Sequence, residues 1–175
     1  MPQAARRAAG FAPVARADAR ILILGSLPGQ RSIAVQQYYA HPQNAFWKIM
    51  AELAGASGSY TERCTALLQS RIALWDVLAN SVRPGSLDAD IRMATAEPND
   101  LDNFLAAHPG IERILFNGQK AADIFRRRVL PGLANKDFRL LTMPSTSPAY
   151  AAIGYADKLQ SWRAAINGEL RRVMP

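Results

Sequence analysis

The stretch RILILGSLPG, residues 20–29, decides how the rest of the chain is read. A short apolar run, Ile21 to Leu24, stops at Gly25 and passes into a loop that carries proline and glycine. Such a run, ended by turn formers, reads as a buried strand. The same pattern returns in IALWDVL (72–78), RILFNG (113–118) and FRLLTMP (138–144), the last stopped by proline. Helical periodicity fills the gaps. Phe46, Trp47, Met50, Leu53 and Ala54 fall on one face of a helix that Asn44 would cap. Further helices are expected over about 61–70 with Thr61 as cap, over LDNFLAAH (101–108), over QKAADIFRRRVL (119–130), and from about Ala156 to Val173. RPGSLDADIRMATAEPND (83–100) is rich in turn formers and reads as a loop. Strands alternating with helices predict an α/β layered domain with a mostly parallel sheet.

The totals agree with one domain over residues 1–175, long enough to close a hydrophobic core. No apolar run approaches the ~20 residues that span a bilayer, so no membrane association is expected. The opening MPQAARRAAGFAPVARADAR lacks the continuous apolar segment of a secretory signal; residues 1–10 read as a flexible lead-in. One cysteine, Cys64, allows no disulfide within the chain and suits a cytoplasmic protein. With only His41 and His108 beside it, a structural zinc site or a four-cysteine iron–sulfur cluster is excluded; no metal or other cofactor is expected. The net charge of +7 favours polyanionic partners, because each neutralised phosphate releases counterions.

In parallel sheets ligands bind beyond the carboxyl ends of the strands. The loops there are GSLPGQRSIAVQQYYAHPQN (25–44), ANSVRPGSLD (79–88), NGQK (117–120) and PSTSPAY (144–150). GSLPG matches neither the dinucleotide nor the P-loop glycine spacing, so nucleotide-cofactor folds lose support. Alone it is a strand-to-loop turn, or a set of backbone N–H groups aimed at a ligand. PSTSPAY places three hydroxyls between prolines, which suits either a Ser/Thr turn or phosphate contacts. In YYAHPQNAFWKI (38–49), Tyr38 and Tyr39 offer flat rings for a planar ligand or half-buried core. Asn44 offers an amide to a ligand or only caps its helix, while Phe46 and Trp47 have the phase of core residues.

Taken together, GSLPG, YYAHPQNAFW, RPGSLD, FNGQKA and MPSTSPAY resemble the uracil-DNA glycosylase superfamily and are most similar to its DNA-deoxyinosine (hypoxanthine) glycosylase branch. YAHPQNAFWKI also resembles the mismatch-specific uracil/thymine glycosylases. The resemblance spans roughly residues 11–170 and implies a three-layer α/β/α fold with a central four-stranded, mostly parallel sheet. It implies a monofunctional glycosylase that excises a deaminated base, hypoxanthine favoured, acting as a monomer on DNA. Such an enzyme holds the extruded base in a pocket, rings against its face and amides against its edge.

The residues carried over by this resemblance are specific. Asn44 would orient the attacking water. Gly25, Ser26, Leu27, Tyr39, Phe46 and Asn117 would surround the base, with Tyr39 at the position where the family stacks an aromatic ring. Pro28, Gly29, Arg83, Lys120, Ser145, Thr146, Ser147 and Tyr150 would meet the DNA backbone, with Tyr150 as the wedge. Arg31 also lies on the loop side, and Arg126, Arg127 and Arg128 read as a solvated helix face. Two departures stand out. Leu27 replaces the Asp or Asn that many members place before the first proline, and Met143 replaces the His or Asn that opens the second motif. Three alternatives therefore stay open: a uracil or mismatched-pyrimidine glycosylase, a DNA-damage binding protein without catalysis, and a small-molecule α/β enzyme.

Overall fold

The computed structural model describes residues 7–168. In chain order the elements are β1 (Arg7–Ala9), β2 (Ile21–Gly25), α1 (Gln30–Val35), α2 (Phe46–Ala54), α3 (Tyr60–Gln69), β3 (Ile72–Asp76), β4 (Leu78–Val82) and β5 (Glu97–Pro98). They continue with α4 (Leu101–Ala107), β6 (Arg113–Asn117), α5 (Gln119–Ile124), β7 (Arg139–Met143) and α6 (Tyr155–Asn167). Four strands form a sheet in the order β3-β2-β6-β7, every neighbouring pair parallel. All four strands expected from the apolar runs are in it. The last helix was expected to reach Val173, which lies outside the described residues.

Alternation along the strands builds two cores. Ile21 and Ile23 face the side covered by α2, α3 and α6, where Phe46, Ile49, Met50, Leu67 and Trp162 are buried. Leu22 and Leu24 face the other side, with Leu101 and Phe104 of α4 and Ala121 and Ala122 of α5. Both faces of the sheet are covered, which is why its strands read as continuous apolar runs rather than alternating ones. The result is the expected three-layer α/β/α arrangement. Among the described residues no helix is long and apolar enough to cross a membrane.

Several local expectations are corrected. Arg7–Ala9, placed in a flexible lead-in, pairs antiparallel with β4. β4 itself falls in the stretch read as loop after residue 78, and with β1 and β5 makes a second, three-stranded sheet. Its sequence, LANSV, has too few apolar residues to signal a strand; cross-strand polar bonds hold it instead. The Arg7 guanidinium donates to Asn80 Oδ1, the Thr95 carbonyl and Glu97 Oε1. α1 lies within the long loop expected after β2. α3 starts one residue earlier than Thr61: Ser59 caps it in a reciprocal box with Glu62, whose carboxylate accepts from the Ser59 N–H at 2.6 Å. The helix containing Phe46 is capped at Ala45, and Asn44 precedes the cap.

Candidate active site

All four parallel strands end at one cleft of about 860 Å³. Its size suits a small planar ligand with room for attached groups. The cleft draws walls from the loops after β2, β6 and β7 and from the loop after β4. Four residues stand at the sheet end: Gly25 on β2, Asp76 on β3, Asn117 on β6 and Met143 on β7.

Both Tyr38 and Tyr39 line this cleft, but their hydroxyls part: that of Tyr39 lies at the sheet end beside Gly25, and that of Tyr38 is directed into the core. The backbone of Tyr39 is left-handed, φ 52°, and this sends successive tyrosines in different directions. Tyr38 is 3 % exposed and its hydroxyl donates to the Ala12 carbonyl at 2.9 Å. Phe46 was expected against a ligand but is fully buried and does not line the cleft. It stacks behind Tyr39, ring centroids 4.2 Å apart at 30°. A planar ligand on Tyr39 would thus meet a ring that another ring supports.

Asn44 is half-buried on the cleft wall. Its Oδ1 accepts from the Phe46 N–H at 3.0 Å. That bond fixes which end of the carboxamide is oxygen and leaves both Nδ2 protons and one lone pair of Oδ1 uncommitted by it. The bond to the helix start and a contact with a ligand are therefore compatible uses of Asn44.

Asn117 is committed differently. Its Oδ1 accepts from the Thr146 N–H and its Nδ2 donates to Thr146 Oγ1, both at 2.9 Å. The Thr146 carbonyl accepts from the Ala45 N–H at 3.0 Å, so one residue ties the loop after β7 to the start of α2. Thr146 is 1 % exposed, which corrects its expected place on a phosphate. Ser145 and Ser147 remain partly exposed on the cleft wall, their Oγ atoms accepting from the N–H groups of Ser147 and Ala149 at 3.2 Å each. Each hydroxyl keeps its proton for an outside acceptor. Tyr150 is 41 % exposed at the rim. The Lys158 ammonium, buried beneath, donates to its carbonyl at 2.6 Å.

Arg83 is also corrected. It was expected on a phosphate, yet it is 7 % exposed and its guanidinium donates to four carbonyls, those of Leu27, Pro28, Ser86 and Leu87. It clamps GSLPG to RPGSL and lies 3.8 Å from Asp88. Desolvation lowers its pKa, opposed by the acidic neighbours Asp88, Asp90 and Asp76. Ser26 donates its hydroxyl to Asp88 Oδ1. Leu27, Pro28, Gly29, Arg31 and Lys120 line the cleft.

Asp76 is the residue that reading by motif missed. It is 3 % exposed, lines the cleft, and sits beside Gly25 in the parallel ladder. A Cβ on Gly25 would stand 2.5 Å from Asp76 Oδ1 and 2.8 Å from the Tyr39 hydroxyl, so only glycine lets the two oxygens converge there. Burial pushes the Asp76 carboxyl up to about 7, against the pull of Arg83. Burial also raises the Tyr39 phenol well above its ordinary value. A usable signal was present: Asp76 is the lone acid at the end of an apolar strand, in the same place on β3 as Gly25 on β2.

Comparison with known proteins follows the same lines. A family model described as the uracil DNA glycosylase superfamily matches residues 12–171. A hypoxanthine DNA glycosylase of Methanosarcina barkeri is 39 % identical over 117 residues, covering 65 % of this chain and 73 % of the relative. A hypoxanthine DNA glycosylase of Methanosarcina acetivorans is 36 % identical over 143 residues, covering 80 % of this chain and 86 % of the relative. A Methanosarcina acetivorans protein solved by solution NMR, and described in terms of uracil DNA glycosylase, superposes with a TM-score of 0.77 at 31 % identity. The superposition covers 93 % of this chain and 98 % of that one.

Proposed function

The chain belongs to the uracil DNA glycosylase superfamily, and from that premise we propose that it is a monofunctional glycosylase that hydrolyses the N-glycosidic bond of a deaminated base in DNA, with hypoxanthine preferred. The observation that carries the reading is the cleft at the sheet end, lined by both Tyr39 and a carboxamide, Asn44, that is held by a bond from the Phe46 N–H. The naming of two relatives as hypoxanthine DNA glycosylases supports the choice of base.

In this reading the extruded base lies on Tyr39, with its edge toward the sheet end. Asn44 holds the water by hydrogen bonds and does not deprotonate it, because a neutral amide is no base. That suffices when the glycosidic bond breaks ahead of attack and the sugar carries oxocarbenium character; positioning and electrostatics then supply most of the rate. Hypoxanthine presents a ring carbonyl beside an N–H, where adenine presents an amine beside a bare ring nitrogen. A site matched to the first edge leaves groups unpaired against the second, which is costly. Asn117 supports this edge by holding Thr146 and has one proton and one lone pair beyond those bonds. Ser145, Ser147, Lys120 and Arg31 are positioned for flanking phosphates, and Tyr150 for the gap left in the stack. We take the enzyme to act as a monomer. A single cysteine agrees with work in the cytoplasm.

The test is single-turnover base release from a duplex with one deoxyinosine, beside one with uracil, for wild type and Asn44→Ala. Hypoxanthine release that falls by about 10²–10³-fold in the variant is expected. Release of uracil alone moves the specificity to pyrimidines. No release from either duplex by folded protein that still binds damaged DNA would replace catalysis with damage binding.

A further inference from the structure

The Asp76 side chain interacts electrostatically with Arg83 but leaves part of its carboxyl unbonded. Its backbone carbonyl accepts from Asn99 Nδ2 at 2.8 Å, but its side-chain Oδ2 is buried without a hydrogen-bond partner. The nearby Tyr39 hydroxyl is likewise buried, with the Asn117 side chain as its polar neighbour. An unpaired buried polar atom costs free energy, so Asp76 Oδ2, on a residue that lines the cleft, calls for a partner that the described residues do not supply.

Burial selects the form of Asp76, against the stronger of the charges around it. Arg83 and Asp88 face it from the loop after β4, and Tyr38 and Tyr39 from the loop after α1. Arg83 is the one cation among these, and its donors are spent on four carbonyls. Asp88 adds like charge. Arg83 outweighs Asp88 and pulls toward the carboxylate, but burial outweighs both and pushes the carboxyl up to about 7, which favours the neutral form.

The chemistry of the departing base requires the same form. When the glycosidic bond breaks, the base takes the electron pair and becomes an anion unless it gains a proton. Met143 cannot donate one. His41 is exposed on the cleft wall, with its Nδ1 accepting from the Gln43 N–H at 3.1 Å. An ionised Asp76 at the sheet end would repel the departing base and raise the barrier, whereas a neutral one can donate to it.

We propose that Asp76 is the general acid of base excision: its neutral carboxyl donates a hydrogen bond to a lone-pair atom on the base edge and transfers that proton as the glycosidic bond breaks. The inference rests on the glycosylase reading above. The C1′–N bond pair goes to the base, the Asp76 proton joins it, and the base leaves neutral. The water held by Asn44 adds its oxygen to C1′ and loses its surplus proton to solvent. Asp76, now a carboxylate, regains a proton from solvent after the base departs. For hypoxanthine the acceptor atoms are O6, N3 and N7.

The experiment is single-turnover release from the deoxyinosine duplex between about pH 5 and about pH 9, for wild type and Asp76→Asn, with carbon-13 NMR titration of the Asp76 carboxyl in the free wild type. The wild-type rate is expected to be level in acid and to fall about tenfold per pH unit above the carboxyl's pKa. Asp76→Asn keeps the shape and a donor but has no proton to give. It is expected to be slower by about 10²–10³-fold near pH 6, with no decline through neutrality. Equal rates and equal profiles for the two proteins overturn the proposal while leaving the glycosylase reading intact. Should the variant not fold, the titration decides: a carboxyl that ionises below about pH 5 overturns the proposal, and one near neutrality sustains it. A wild type that releases no base from either duplex removes the glycosylase reading and this inference with it.

Discussion

Asn117 and Asp76 end the two strands that flank β2, and both are buried at the floor of the same cleft. Asn117 uses its oxygen and its amide on Thr146. Asp76 leaves Oδ2 with no partner at all. Equivalent positions on one sheet therefore do different work. The first joins the loops, and the second holds a costly group in readiness. A satisfied buried amide adds to stability, whereas an unsatisfied buried carboxyl subtracts from it. The cost is tolerable only where the group serves the reaction.

The sharpest way to break this contrast is a stability measurement against pH. Folding raises the Asp76 pKa from an ordinary carboxyl value to about 7, so the fold favours the protonated form. The corresponding stability is fully present below about pH 4 and is lost as pH rises through about 7. Chemical denaturation should show Asp76→Asn more stable than wild type at pH 8, by up to about 4 kcal/mol, with the gap closing toward pH 4. A variant less stable than wild type at pH 8 would make Asp76 a structural residue after all.

Gly25→Ala comes next in size. Its Cβ would press on both Asp76 Oδ1 and the Tyr39 hydroxyl. Base release should fall by on the order of 10²-fold, with a stability loss of about 1–3 kcal/mol from overpacking. Base-release kinetics and thermal melting on the same preparation separate the two effects.

Asn117→Ala should behave opposite to Asp76→Asn, losing about 1–3 kcal/mol at any pH between 5 and 8, because the Thr146 amide and hydroxyl lose their partner. Urea melts of both variants in parallel would show whether the contrast holds. The smallest effect belongs to the rim. Lys158→Met removes the ammonium that holds the Tyr150 carbonyl from below. A severalfold rise in Kd for DNA with a smaller change in the release rate is expected, of about 1 kcal/mol, from titration of labelled duplex.

Much of the fold was legible because its core strands are covered on both faces. ILILG and RILFN have no polar side to hide, and they read as strands without help. β1, β4 and β5 were not legible, since ANSV and RAA owe their pairing to the Arg7–Asn80–Glu97 bonds rather than to apolar pattern. The cleft divides the same way. Tyr39 and Asn44 were found through the motif they belong to. Arg83 and Thr146 were misplaced: a basic residue and a hydroxyl in a DNA-facing loop look like phosphate contacts until their carbonyl and amide partners are seen.

By itself the sequence determined the parallel sheet, the loops that carry the chemistry and the family, because apolar periodicity and local motifs are written in neighbouring residues. Tertiary structure alone decided which polar groups are spent and which are free. Gly25, Tyr39 and Asp76 stand far apart along the chain, yet their atoms converge within a few ångströms. Burial there, and not residue type, pushes the Asp76 carboxyl up to about 7. A carboxylate's charge is set by what surrounds it in space, and that surrounding exists only once the strands have been brought side by side.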